Sequence, residues 1–433
     1  MEITKNITKN SIRIGKLILL VFSFLLIYNC STSSQNTSRR HKNLSYLYNE
    51  DEVFLHPQYQ IYNSSIDSSI VFIKLSFSEL LIKDLGEEFD KYSIVEIHYR
   101  LYESLTSGGL IDSASITKKL IVNEGEKEVI FSFPIRSPRY RKTFLNIRIK
   151  DLFSERSRKD YLEVDKYHSL NRQSFLIENN RTKEPLFGND LLIGNVYHIQ
   201  SPLFKKYPLY INEHDLIKSV PLPPDSKQRE HSIDFFPNIS YLSDNHEITP
   251  NGKYLSFLTI DSNTTKGVAL FAYDSIPNYL HTPSQLLEPL SYLLSPTNYQ
   301  IALQDTNPKY ALDRFWLGVA GNVRHASEMI KVYYHRVDVA NKYFSSYKQG
   351  WMTDRGMIYI IYGEPAKIYK SQTLERWIYG SMDSEKALTF DFDKVRNRFS
   401  DNNFRLVRSE SYKQSWSQAV NSWLNGRIYS IAK

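Results

Sequence analysis

Gly350 to Pro365 reads GWMTDRGMIYIIYGEP, and the fold of the C-terminal part turns on this stretch. Its middle, Met357 to Tyr362, is β-branched and aromatic, with apolar side chains at odd and even positions alike. That composition predicts a strand covered on both faces, and so a central one. Gly356 before it and Gly363-Glu364-Pro365 after it predict chain reversals at either end. Ahead of the strand, Gly350, Trp351, Thr353, Asp354 and Arg355 read as a stiff corner. An indole such as Trp351 contributes apolar area and asks for one acceptor. Thr353 and Asp354 have short side chains suited to bonding nearby backbone N–H groups. Arg355 can pair with Asp354 or Glu364, or hold loop carbonyls, and Gly356 and Gly363 permit dihedrals that other residues resist. The structural motif therefore comprises Gly350, Trp351, Thr353, Asp354, Arg355, Gly356, Tyr362, Gly363, Glu364 and Pro365.

Outward from the motif, residues 284–433 read as a small α+β domain. Ser284–Leu294 and Lys309–Leu317 have helical character. A longer helix is predicted over Ala326–Ser345, because Ile330, Tyr333, Val337, Ala340 and Phe344 recur three and four apart. Its other face carries His335 and Asp338, three residues apart and within mutual reach. They read more simply as a solvated face than as an acid–base pair. After the motif, strands are predicted at Arg376–Tyr379, Leu388–Phe392 and Phe404–Val407, and a last helix over Ser411–Asn425.

The region before it is β-rich. Over 45–168, Ile70–Ser78, Ser93–Leu101, Glu128–Phe133 and Phe144–Ile149 alternate with period two, with weaker candidates at Thr117–Ile121 and Tyr161–Val164. Turn-rich breaks separate them and no helical stretch intervenes, which predicts an immunoglobulin-like sandwich. Over 169–283 the same pattern continues at Leu191–Ile199, Leu209–Ile211, Tyr254–Ile260 and Gly267–Tyr273, interrupted by the proline-led loop Pro221–His231. The fold class is thus multidomain: two β-sandwich domains, then the α+β domain with its antiparallel sheet. The 31 Tyr and 23 Phe fit so much sheet.

The N-terminus reads as an export signal, residues 1–29. Leu17–Tyr28 is an apolar run behind scattered positive charges, short for a membrane span but suited to a secretory signal. Cys30, the only cysteine, follows at once, and 30–44 is a polar tether. Its position resembles that of the lipidated cysteine of bacterial lipoproteins, although Tyr28 and Asn29 are larger than the residues those signals favour. The alternative is a plain signal cut elsewhere. Lipidation at Cys30 implies a membrane anchor, and Ser31 without an acidic run after it implies the outer membrane with the body facing the periplasm. A net charge of +7, part of it from Lys5, Lys9, Arg13 and Lys16, is slight for 433 residues, and no nucleic-acid motif accompanies it.

The C-terminal motif resembles the signature of the GWxTD-domain family of envelope proteins. Phe315-Trp316 upstream, then Tyr333, Arg336, Ala340 and Asn341, then Trp377 and Tyr379 downstream fit the family's order and spacing. The resemblance covers about 285–410 and implies an envelope lipoprotein, with no activity to carry over. A catalytic use of the motif would pair Asp354 with Glu364 beside Arg355. At the ends of a six-residue strand they stand roughly 20 Å apart, against about 10 Å in hydrolases with paired carboxylates. There is no nucleophile elbow, zinc-binding helix or phosphate loop. No catalytic residue, metal or cofactor is therefore assigned. The expectation is a non-enzymatic, lipid-anchored scaffold or accessory subunit in secretion or envelope assembly, with envelope proteins as partners and no nucleic acid. The alternatives are an enzyme acting on an envelope polymer through the charged cluster, or a glycan-binding sandwich protein.

Overall fold

The computed structural model describes residues 55–84, 91–104, 109–215, 219–227, 239–252, 254–260, 267–273, 282–371, 373–380, 387–395, 400 and 402–431. The expected export signal over 1–29, Cys30 and the expected tether over 30–44 lie outside these residues. Among the described residues no helix is long and apolar enough to cross a membrane.

The first sandwich has seven strands: β1 (Gln58–Tyr62), β2 (Ser68–Ser76), β3 (Tyr92–Tyr102), β4 (Leu110–Ile121), β5 (Glu128–Arg136), β6 (Lys142–Asp151) and β7 (Ser157–Asp165). They form two antiparallel sheets, ordered β1-β2-β5 and β4-β3-β6-β7. Period-two alternation does the work here. Val71, Ile73 and Leu75 of β2 face Val95, Ile97 and Leu101 of β3 and Leu145, Ile147 and Ile149 of β6 in one dry core.

The second sandwich is built from β8 (Leu176–Asn179), β9 (Asp190–Leu192), β10 (Tyr197–Gln200), β11 (Tyr210–Asp215), β12 (Ile239–Leu242), β13 (Glu247–Ile248), β14 (Tyr254–Thr259) and β15 (Val268–Tyr273). Its sheets run β13-β10-β8 and β12-β11-β14-β15-β9, and the β9–β15 pair is parallel. The expected single strand Leu191–Ile199 is broken instead. Its two halves, β9 and β10, belong to opposite sheets, and Gly194 turns between them with φ +84°. Leu191 and Ile199 still meet in the core between the layers, so the alternation is genuine although the strand is not continuous. The outer face of the five-stranded sheet carries Phe257, Ala269 and Phe271, which pack with Tyr273 and with Tyr347 of the C-terminal domain.

The C-terminal domain starts with α1 (Pro283–Leu287), which passes at Pro289 into a 3-10 stretch, Glu288–Tyr292. Then come α2 (Pro296–Leu303), α3 (Pro308–Ala320), α4 (Val323–Phe344) and α5 (Asp354–Tyr362). Strands β16 (Lys367–Lys370), β17 (Leu374–Tyr379), β18 (Leu388–Lys394) and β19 (Phe404–Leu406) follow as an antiparallel meander, and α6 (Lys413–Leu424) closes it. The first three helices share one start device. Thr282, Ser295 and Asn307 each cap the helix by accepting a backbone N–H, and each is followed by a proline whose missing N–H costs nothing there.

The principal correction concerns Met357–Tyr362. It is not a central strand but most of α5, with Gly356 inside the helix rather than at a turn. All nine residues of α5 are buried, enclosed by α4, α6 and the meander. A helix buried all round shows no apolar stripe, so its sequence is indistinguishable from that of a doubly covered strand.

Candidate functional site

The motif lies at the start of α5. Ser345 ends α4 by donating its hydroxyl to the Asn341 carbonyl (2.6 Å), and it accepts the Gly350 N–H (3.0 Å). Asn341 accepts the Trp351 N–H on its side-chain oxygen (3.0 Å). These bonds draw the 3-10 turn Gly350–Met352 hard against α4. A methyl group on Gly350 would fall on the Ala340 carbonyl oxygen, and one on Gly356 would fall on that of Gly350. Trp351 is buried. Its Nε1 donates to Gln349 Oε1 (2.7 Å), and its carbonyl accepts the Tyr292 hydroxyl (2.5 Å).

Thr353 caps α5: its Oγ1 accepts the Gly356 N–H (3.1 Å) and donates to the Gly350 carbonyl (2.7 Å). Thr353→Ala removes both bonds and is expected to lower stability by about 1–2 kcal/mol, with Thr353→Ser close to native. Urea unfolding of the two variants checks this. Equal midpoints for both would refute the capping role.

Asp354 is the first residue of the helix, where a negative charge is favoured. Its Oδ2 accepts the Leu406 N–H (2.7 Å), and Arg408 grips the carboxylate with Nη2 on Oδ1 (2.6 Å) and Nη1 on Oδ2 (3.4 Å). Arg355 points the other way. Its Nη1 donates to Glu375 Oε2 (3.0 Å), and its Nη2 donates to the carbonyl (2.9 Å) and side-chain oxygen (2.5 Å) of Asn402. The guanidinium lies 4.2 Å from the Phe404 ring centre and 5.2 Å from that of Phe344. Asn402 in turn donates to the Tyr343 and Ser345 carbonyls (3.1 and 2.8 Å). Glu375 also accepts the Trp377 indole N–H (2.8 Å), with Lys370 at 3.5 Å. Burial alone would raise the Glu375 carboxyl. The Lys370 and Arg355 charges, with hydrogen bonds from Trp377 and Arg355, outweigh it and hold the group below the usual carboxylate range.

The far end of α5 is finished with equal care. Arg336 donates to the Ile360 and Ile361 carbonyls (3.1 and 3.2 Å), and Trp423 Nε1 donates to Ile361 (3.1 Å). The helix's last acceptors are thus met by a cation, which the dipole favours. Burial pulls the Arg336 guanidinium down to about 10, still charged at neutral pH. Gly363 turns the chain with φ +81°, and its carbonyl accepts the Tyr379 hydroxyl (2.9 Å). Tyr362 is buried with its hydroxyl 3.2 Å from that of Ser415. Glu364 is half-buried and Pro365 buried.

The structure thus gathers Gly350, Trp351, Thr353, Asp354, Arg355 and Gly356 at one end of α5 and leaves Tyr362, Gly363, Glu364 and Pro365 at the other. The nine-residue helix between them, Asp354–Tyr362, rises about 12 Å, so Asp354 and Glu364 stand at opposite ends of it. Asp354 and Arg355 are 5% and 2% exposed and Glu375 is 0% exposed. Of the described carboxylates at this corner, Asp354 and Glu375 are thus all but closed to solvent. Among the described residues no three His, Cys, Asp or Glu groups are placed to hold a metal ion. His335 is exposed and Asp338 half-buried on the outer side of α4.

Sequence reading missed the partners Glu375, Asn402 and Arg408, and the capping role of Arg336. Buried charges must be paired, so a counter-charge for Arg355 is implied. One signal for it exists: Glu375 stands two residues before Trp377, on the inward face of β17.

Residues 252–425 match the family model described as the GWxTD domain. The chain carries a GWxTD domain. Compared with curated proteins, it has no match. The GWxTD match begins ahead of α1 and takes in β14 and β15 of the second sandwich as well as the helices and meander.

Proposed function

We propose that this is a non-enzymatic, lipid-anchored envelope protein that acts as a scaffold or accessory subunit in secretion or envelope assembly. Residues 1–29 direct export, Cys30 carries the lipid, and the body faces the periplasm from the outer membrane. The GWxTD domain docks an envelope partner, and the sandwiches act as spacers and binding surfaces. One observation supports the reading above others. Asp354 and Arg355 of the GWxTD signature are spent on Arg408, Glu375, Asn402 and backbone groups in a dry interior, an arrangement that fixes a fold and offers no reacting group to a substrate.

The experiment is photo-crosslinking in intact cells followed by mass spectrometry, with fractionation of the wild type and of Cys30→Ser. The wild type is expected in the outer-membrane fraction with at least one envelope protein recovered reproducibly. Cys30→Ser is expected to leave that fraction, because acyl chains supply the anchoring. Repeated recovery of no partner would count against the scaffold role, and an unchanged distribution of Cys30→Ser would overturn the anchor.

A further inference from the structure

The segment between β11 and β12 includes Ser219-Val220-Pro221-Leu222-Pro223-Pro224-Asp225-Ser226-Lys227. Val220, Leu222 and Pro223 each precede a proline and are held to extended backbone. Within 221–224 only Leu222 keeps an N–H, so this strap presents acceptors almost alone. What meets it on the GWxTD domain is a row of donors. Arg408 Nη2 donates to the Leu222 carbonyl (3.0 Å) and Nε to the Pro223 carbonyl (3.3 Å), and the Ser409 N–H donates to the Pro224 carbonyl (3.1 Å). Three successive carbonyls are read in order by one side chain and the backbone N–H beside it. Pro221 and Pro224 are buried and Pro223 is exposed. The guanidinium cannot swing away, because Asp354 holds it and the Leu406 N–H holds Asp354. Lys348 donates to the Ser219 carbonyl at one end of the strap (3.3 Å), and Lys227 pairs with Glu410 at the other (2.6 Å). That outer pair is exposed and contributes little.

We infer that the Arg408–Asp354 edge of the GWxTD domain is a binding site for extended, proline-rich peptide, filled in this chain by its own residues 221–224. The donor row discriminates for prolines, which leave no backbone N–H unsatisfied against it. A partner segment of the same chemistry competes with the strap for the edge. The inference stands on these contacts and does not depend on the envelope-scaffold reading.

The tethered strap holds its site at an effective concentration on the order of millimolar, so a free peptide binds the intact chain poorly. The test uses a fluorescein-labelled peptide of residues 218–227, KSVPLPPDSK, read by anisotropy. Its host is the full chain with Pro221→Gly, Leu222→Ser, Pro223→Gly and Pro224→Ser. That variant is expected to bind the peptide at least about tenfold tighter than the wild type, because the competent fraction rises. Adding Arg408→Lys, which keeps the charge beside Asp354 but loses the fork, is expected to reverse the gain. A folded strap variant that binds no better than the wild type overturns the site. Should that variant not fold, excess peptide on the wild type is read by hydrogen exchange. Faster exchange within 219–227, absent with a scrambled peptide, supports the site, and unchanged exchange overturns it.

Discussion

Arg355→Ala is expected to destabilise the GWxTD domain by about 3–5 kcal/mol, a large share of the 5–15 kcal/mol typical of a folded domain. The loss comes less from the bonds removed than from what stays behind. Glu375, fully enclosed, keeps its charge without the guanidinium, and Asn402 loses the donor to its carbonyl and side-chain oxygen. The pH dependence separates this cause from a mere loss of packing. In the wild type the Glu375 carboxyl is held below its ordinary value. A carboxylate of that kind adds stability above its unfolded pKa, about 4.3, and that stability is lost as pH falls through the lower folded value. In Arg355→Ala burial still raises the carboxyl while one of the forces lowering it is gone, so protonation costs the variant less stability than the wild type and the gap between them narrows as pH falls toward 4. Urea unfolding between pH 7 and pH 4 measures both effects. Parallel curves offset by less than about 1 kcal/mol would show that the pair is not what holds this corner.

Gly350→Ala is the second large effect, expected at about 3 kcal/mol or more. The added methyl meets the Ala340 carbonyl oxygen, and both sides of the clash are backbone. No rotamer relieves it; only separation of the corner from α4 does, at the expense of the Asn341–Trp351 and Ser345–Gly350 bonds. Gly318→Ala supplies the contrast. Gly318 sits within α3 with open space around it, so alanine there is expected to stabilise by about 0.5–1 kcal/mol through helix propensity. Thermal melts of the two variants should move in opposite directions. A melt of Gly350→Ala unchanged from the wild type would mean that the close approach is not what the corner requires.

What was legible in the sequence follows from which patterns carry phase information. In the first sandwich β2, β3 and β6 alternate buried residues with more accessible ones, and they announced themselves through that alternation. Helix α4 did the same with Ile330, Tyr333, Val337, Ala340 and Phe344. Helix α5 has no wet face, and its β-branched run pointed to the wrong element. The strands β1, β8, β12, β13 and β16 are five residues or fewer and give too few periods to read. The motif residues were identifiable by type, because Gly-Trp-x-Thr-Asp-Arg-Gly concentrates groups with special demands. Their partners were not. Glu375, Asn402 and Arg408 reach the corner from 20 to 54 positions away, and only the fold brings them there.

The five-stranded sheet of the second sandwich carries one further consequence. Its strands are drawn from both sides of residue 252: β9, β11 and β12 come before it, β14 and β15 after. A polypeptide cut to the family's own limits would keep the inner pair and discard β11 on one flank and β9 on the other. Two ladders of backbone donors and acceptors would then lie bare, an invitation to sticky intermolecular pairing. The stretch that defines the family by likeness is therefore not the stretch that can stand by itself. Inheritance and self-sufficiency have different borders in this molecule.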